Sequence, residues 1–281
     1  MQRFKSYWIL MRFHRPIGTL LLLWPTLSAL WFANLGVPPI KYLIVFTLGV
    51  IVMRAAGCVV NDIADRNFDG KVARTKDRPL ATKQISVKHA IYLACGLVGV
   101  AFGLVCFTNL DTVLLSIVAL VLAAIYPFMK RFTHWPQMIL GAAFAWAIPM
   151  AFMASQATLP LSCWLLFTAT LIWAVAYDTL YAMVDREDDV KIGIKSTAVL
   201  TAPYDKILVF FCHLLVLSLY LFLGLLWHMP MIFFITLVMA LALAVYQQWL
   251  IRDNSRENYF KAFLNNNTFG MLLFLGVSLS F

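Results

Sequence analysis

Charge is what this chain has least of. Asp, Glu, Lys and Arg make up 12% of its 281 residues, against about 25% in a soluble globular domain. With 62% hydrophobic residues and a mean hydropathy of +0.83, that scarcity excludes a water-soluble fold and marks a polytopic membrane protein. Cysteine is equally uninformative as chemistry. Cys58, Cys95, Cys106, Cys163 and Cys212 all sit in apolar runs without metal-ligand spacing, so they read as small buried hydrophobes. A cleavable leader is not expected. Met1 to Arg15 is basic and amphipathic, and the apolar run that follows is too long and lacks a cleavage site. The net charge of +9 fits nucleic acid or membrane phosphate, and the placement of the charges decides for membrane.

What is present is a series of nine apolar segments near the 20 or so residues a bilayer requires. They cover approximately 16–35, 41–60, 89–107, 111–128, 136–154, 160–182, 205–224, 230–250 and 262–281. With nine spans, every Lys and Arg except Lys41 and Arg54 falls on the side of the N-terminus. The positive-inside rule makes that side cytoplasmic, most simply in a bacterial inner membrane. The expected fold class is therefore an all-α membrane protein forming a single polytopic domain over residues 1–281. Trp residues near the predicted ends suit interfacial anchoring. Gly99 and Gly103 suggest a close helix contact, and Pro127 and Pro149 suggest kinks or ends.

The chemistry concentrates in two places. Asn61-Asp62-Ile63-Ala64-Asp65-Arg66-Asn67-Phe68-Asp69 ends the second apolar run, and Asp185-Arg186-Glu187-Asp188-Asp189 ends the sixth. Both contain Asp-Arg-x-x-Asp, 120 residues apart, and each opens one of the two long connections, about 62–88 and 183–204. The chain thus reads as two related halves of about four helices plus a ninth. Eight of its 13 acids are Asp62, Asp65, Asp69, Asp178, Asp185, Glu187, Asp188 and Asp189. On a helix, Asn61, Asp65 and Asp69 share a face, as do Asp178, Asp185 and Asp189. Two such faces opposed make a dense carboxylate pocket, whose repulsion cations must offset. Oxygen-only ligands of this kind suit Mg²⁺, which takes a few carboxylates and completes its shell with substrate phosphate.

Cationic side chains accompany the acids. Arg66 and Arg186 lie inside the motifs, Lys130 and Arg131 follow Tyr126, and Lys191 and Lys195 follow the second motif. Arg and Lys are the usual partners of phosphate oxygens. For Lys71, Lys76, Lys83 and Lys88 a simple topological role is preferred. Arg54 is the one basic residue inside a predicted span, about 10 Å deeper than Asn61 on the same face. A charge at that depth faces a cavity or a partner: either a carboxylate on an acceptor substrate or a structural pair such as Asp178.

The run Met53-Arg54-Ala55-Ala56-Gly57-Cys58-Val59-Val60-Asn61-Asp62-Ile63-Ala64-Asp65-Arg66-Asn67-Phe68-Asp69 resembles the first aspartate-rich motif, NDxxDxxxD, of the UbiA-type intramembrane prenyltransferases. Tyr177 to Asp189 resembles the second motif of the branch that prenylates 4-hydroxybenzoate. Arg15-Pro16-Ile17-Gly18, Trp24-Pro25-Thr26, Arg78-Pro79-Leu80, Tyr126 to Arg131 and Lys191 to Thr197 extend the resemblance over nearly the whole chain, in order. It departs at His14, a position often acidic in the family. The resemblance implies nine transmembrane helices in a ring around a central cavity, with a cytoplasmic cap from the two motif-bearing loops. It implies Mg²⁺ as cofactor, with a polyprenyl diphosphate and 4-hydroxybenzoate as substrates, and ring prenylation ortho to the hydroxyl on the way to ubiquinone. On matching positions it assigns Asn61, Asp65, Asp69, Asp185 and Asp189 to metal and diphosphate. Asp62 and Asp178 are supporting residues, Arg66, Lys130 and Arg131 are diphosphate contacts, and Tyr126 and Lys195 join them in the substrate site.

Two other readings stay open from sequence. A sister enzyme would carry similar diphosphate motifs but use dihydroxynaphthoate, homogentisate or haem as acceptor. A cation transporter would also place acids at a repeat interface, though nearer the bilayer midplane.

Overall fold

The computed structural model describes residues 2–67, 69–71 and 75–281. Phe68 of the first motif and Arg74 of the following basic connection lie outside the described residues. All described regular structure is helical: α1 (Gln2–Leu10), α2 (Ile17–Asn34), α3 (Ile40–Asp65), α4 (Val87–Val105), α5 (Leu110–Met129), α6 (Pro136–Ala145), α7 (Ala147–Gln156), α8 (Leu161–Ile192), α9 (Thr197–Leu200), α10 (Asp205–Leu226), α11 (Met231–Leu250) and α12 (Arg256–Ser278). Short 3-10 turns occupy Asp69–Lys71 and Ile251–Asp253.

Helix ends follow local chemistry. Ser86, Asn109 and Ser255 cap α4, α5 and α12, their side chains accepting from His89 N at 3.3 Å, Thr112 N at 2.9 Å and Asn258 N at 3.2 Å. The fifth apolar segment is broken at Trp146. Pro149 supplies no N–H for the Ala145 carbonyl and its ring crowds that group, so the break falls one turn before the proline. Pro127 is accommodated inside α5. α8 ends where Gly193 takes the left-handed conformation (φ 72°) and its N–H returns to Asp189 and Val190 carbonyls.

Among the described residues eight helical stretches are long and apolar enough to cross a membrane, α6 and α7 counting as one and α11 running on through Asp253. The chain is an integral, multi-pass membrane protein. The ninth apolar segment falls mostly on α12, which carries charges in its first turns and Asn265-Asn266-Asn267 at its centre, and so falls short of that measure. Asn266 and Asn267 are bonded inside the bundle rather than exposed. Asn266 Oδ1 accepts from Trp173 Nε1 at 2.9 Å and meets His213 Nε2 at 3.1 Å, while Asn266 Nδ2 donates to Gln247 Oε1 at 3.2 Å. Trp24 Nε1 donates to Asn267 Oδ1 at 2.9 Å. One polar hub therefore joins α8, α10, α11 and α12, and a second bond adds α2.

Lipid gives helices little hydrophobic reason to associate, so close approach through small residues matters. Gly141 of α6 lies against the α8 backbone: a Cβ there would come within 2.7 Å of the Leu171 carbonyl oxygen. The close contact expected at Gly99 and Gly103 does not form within the chain. Both face outward from α4, and a Cβ at either would meet nothing within 4 Å.

Length positions the site. α3 spans 26 residues and α8 spans 32, about 39 and 48 Å at 1.5 Å per residue, against a hydrocarbon core of roughly 30 Å. Both helices run toward the same side and overrun the core there with their acidic ends.

Candidate active site

The last two turns of α3 and the last four of α8 face one another across a cavity of about 620 Å³. Asn61, Asp62, Asp65 and Asp69 line it from one side, and Asp178, Asp185 and Asp189 from the other. Two geometric expectations change. α3 stops at Asp65, so Asp69 does not continue its face; it enters the site from the 3-10 turn that follows. The second motif is not on a loop either, because α8 runs through it to Ile192.

The carboxylate pocket is interleaved with cations, as the mutual repulsion of its acids requires. Asp62 is fully buried and is held by Arg12 Nη2 at 2.8 Å and Arg78 Nη1 at 3.0 Å. Arg78 Nη1 also donates to both carboxylate oxygens of Asp69 at 2.9 Å. Lys130 pairs with Asp65. Burial raises the Asp69 carboxyl above the usual carboxylate range, opposed by Arg78, and burial lowers the Arg12 guanidinium, opposed by Asp62. Among the described residues no three acids draw together as a ready-made metal cluster. That suits an ion bound by one or two carboxylates and completed by phosphate oxygens, rather than a full protein cage. One buried atom is poised for it: Asp65 Oδ1 accepts no hydrogen bond among the described residues, with Arg131 Nη2 at 4.0 Å.

The i, i+4 pattern explains the second motif. Asp185 and Asp189 turn inward. Between them, Arg186 pairs with Asp205 of α10, and Glu187 and Asp188 receive Arg256 of α12 at 2.6 and 3.5 Å. Arg186 thus ties helices together rather than serving the cavity. Two assigned diphosphate contacts also stand apart from the cavity wall. Arg66 is exposed and donates to the Ile63 carbonyl at 2.8 Å, closing the end of α3. Arg131 donates to the Ala64 carbonyl at 2.6 Å. Tyr126, Lys130 and Lys195 do line the cavity. The Lys195 N–H donates to the Lys130 carbonyl at 3.0 Å, joining the segment after α8 to the end of α5.

Sequence reasoning gave Arg12 no role in the site and used Arg78 only as part of a pattern. Both converge on Asp62 from segments 50 and 16 residues away, and no local spacing announces such a contact. Arg54 lines the cavity deeper in, one side against Gly18 and its guanidinium 6.0 Å from the Phe144 ring centre. Its Nη1 lies 2.9 Å from Cys58 Sγ. Among the described residues it makes no ion pair, so the alternative pairing with Asp178 is not formed. Below Arg54 the wall is apolar, including Phe46, Val50, Phe102, Leu120 and Met150.

The arrangement is an anion-receiving mouth above an apolar chamber. Residues 22–274 match the family model described as the UbiA prenyltransferase family. A 4-hydroxybenzoate octaprenyltransferase of Chromohalobacter salexigens is 57% identical over 271 residues, covering 96% of this chain and 91% of that protein. Among solved structures, a UbiA homolog from Aeropyrum pernix K1 in its apo form superposes with a TM-score of 0.81 at 21% identity, covering 93% of this chain and 97% of the other. A UbiA homolog from Archaeoglobus fulgidus bound to GPP and Mg²⁺ superposes at 0.73 with 18% identity, covering 97% and 99%.

Proposed function

The chain belongs to the UbiA prenyltransferase family, and from that premise we propose that it transfers a polyprenyl group from a polyprenyl diphosphate to 4-hydroxybenzoate. The bond forms at the ring carbon ortho to the hydroxyl, and diphosphate and the ring proton leave. The relatives' activity supports this reaction, and the Mg²⁺ bound by the Archaeoglobus homolog supports the cofactor. The observation that carries the reading is a single cavity whose mouth has acids from two helices and whose depth is apolar.

Asn61, Asp65 and Asp69 on one wall and Asp185 and Asp189 on the other would hold magnesium with the diphosphate. Magnesium, when bound, offsets the charge that builds on the departing diphosphate. Lys130 and Arg78 already stand beside Asp65 and Asp69, within reach of a diphosphate seated there, and Lys195 adds a third cation at the rim. Asp62 is a supporting residue that holds Arg12 and Arg78 in place, and Asp178 supports the opposite wall beside Tyr126. Arg66 and Arg131 serve by closing the end of α3. Arg54, which makes no ion pair among the described residues, receives the carboxylate of the aromatic acid and sets its ring beneath the diphosphate. The apolar chamber keeps water from the allylic cation.

The cation-rich mouth is cytoplasmic by the positive-inside rule, in the inner membrane of a bacterium, and the product is an early intermediate of ubiquinone synthesis. The test is an assay with labelled 4-hydroxybenzoate and octaprenyl diphosphate, with Mg²⁺ or with EDTA. A prenylated product that retains its carboxylate and requires Mg²⁺ is expected. Product only with another aromatic acceptor would overturn the acceptor, and no product with any acceptor would overturn the enzyme.

A further inference from the structure

We propose that the Tyr177 hydroxyl is a second recognition group for the aromatic acid, donating a hydrogen bond to the carboxylate that Arg54 receives. This rests on the acceptor reading above and adds a neutral donor to it. Tyr177 lines the cavity from α8 and is 3% exposed. Its hydroxyl oxygen is buried and has no hydrogen-bond partner among the described residues. Tyr220 and Tyr259, also buried, bond Ser28 and Asn254. A buried hydroxyl left unpaired is costly, so this one is kept for an occupant of the cavity. The ring is firmly held. Trp173 meets it edge-on with ring centres 5.3 Å apart, and Phe263 lies at 6.4 Å. Trp173 is itself fixed by its bond to Asn266, so the polar hub of the bundle sets where the hydroxyl stands.

Depth decides what the hydroxyl serves. Tyr177 stands eight residues below Asp185 on α8, and Arg54 eleven below Asp65 on α3, about 12 and 16 Å of helix. Both are too deep for a diphosphate seated between the acids. They are electrostatic neighbours of one another, with Tyr126 and Asp178 beside them. 4-Hydroxybenzoate measures about 6 Å from carboxyl carbon to hydroxyl oxygen at ordinary bond lengths. With its carboxylate at the depth of Arg54 and Tyr177, its ring lies between them and the diphosphate, where the allylic carbon must meet it. A phenol suits this place because it holds a carboxylate without stranding a further charge in the bundle when the site is empty.

The experiment compares the full chain with Tyr177→Phe, which removes the hydroxyl and keeps the ring, in lipid nanodiscs with Mg²⁺ and octaprenyl diphosphate. kcat/KM for 4-hydroxybenzoate is expected to fall about 10- to 100-fold, the scale of a hydrogen bond to a charged group, while KM for octaprenyl diphosphate holds. Tm should also hold, because the hydroxyl has no protein bond to lose. A lowered Tm, an unchanged kcat/KM, or an equal rise in KM for both substrates would overturn the proposal and leave prenyl transfer intact. Absence of product from the unsubstituted chain would instead remove the acceptor reading on which it rests. As a second measurement, isotope-edited infrared spectroscopy reads 4-hydroxybenzoate labelled with ¹³C at its carboxylate and bound to each protein. The carboxylate stretch should shift between the two, and identical bands would refute the contact whatever the rates.

Discussion

Gly18→Ala offers a sharp test of Arg54, because it perturbs that side chain without touching its charge. A Cβ at Gly18 would lie 2.3 Å from Arg54 Nε, 2.4 Å from Nη2 and 2.7 Å from Cζ, where ordinary contact begins near 3.4 Å. The guanidinium must therefore retreat by about 1 Å. A displacement of that size at a substrate-positioning group costs up to about 10²-fold in rate. The fold should not suffer: Gly18 lies in the first turn of α2, and Ala favours a helix over Gly by roughly 0.5–1 kcal/mol. Steady-state kinetics with each substrate varied in turn should show KM for 4-hydroxybenzoate rising while KM for the diphosphate holds, with thermal unfolding in detergent unchanged or improved. An unaltered KM for the aromatic acid, or an equal rise for both substrates, would refute the assignment of Arg54 to the acceptor carboxylate.

Arg54→Ala should show the same asymmetry more strongly, because the charge itself is gone; equal losses for both substrates would mark Arg54 as structural. Asp65→Ala or Asp185→Ala should cut turnover by about 10³-fold or more, on the scale of losing one preorganised electrostatic contact, while the protein still purifies folded; retained activity in either variant would remove the two-motif mechanism. Arg78→Ala removes the ion pairs to Asp62 and Asp69 and, among the described residues, leaves Asp62 paired with Arg12. The loss should approach 3 kcal/mol, as for breaking a buried pair, read as a fall in Tm without added Mg²⁺; an unchanged Tm would show that these carboxylates are already solvated. Asn266→Ala removes bonds to Trp173, His213 and Gln247, and should cost about 2 kcal/mol, since interhelical bonds of this kind contribute about 0.6 and at most 1.7 kcal/mol each; a wild-type melting curve would dismiss the hub.

Legibility followed the range of the interactions. Hydropathy runs are local, so most helices could be read directly, and a bilayer-length run needs no knowledge of its neighbours. α12 shows where that fails. Its apolar stretch was visible, but nothing local explains Asn266 and Asn267, which are made tolerable by Trp173, Gln247, His213 and Trp24 from four other helices. The break at Trp146 lay between these cases. Pro149 gave notice of it, and the missing N–H bond at Ala145 fixed where it fell.

The site divides in the same way. Asp185 and Asp189 were legible because both stand on one helix, where i, i+4 spacing is geometry. Asp69 was legible as a member of the site and misplaced as a member of a helix, since nothing in the spacing says that α3 stops at Asp65. Arg66 and Arg131, read from sequence as diphosphate contacts, donate here to the Ile63 and Ala64 carbonyls. Arg12 and Arg78, distant in sequence, reach the buried Asp62. The reason is electrostatic. A carboxylate with 1% of its side chain exposed must find its cation inside the protein, and a residue at a fraying helix end is poorly placed to follow it there. The cations that matter are those the fold can carry inward. For the same reason Arg12→Ala, far outside the aspartate motifs, should weaken diphosphate binding by loosening Asp62 and Arg78 together. Isothermal titration with inorganic diphosphate and Mg²⁺ measures this directly, and a wild-type affinity would refute the coupling.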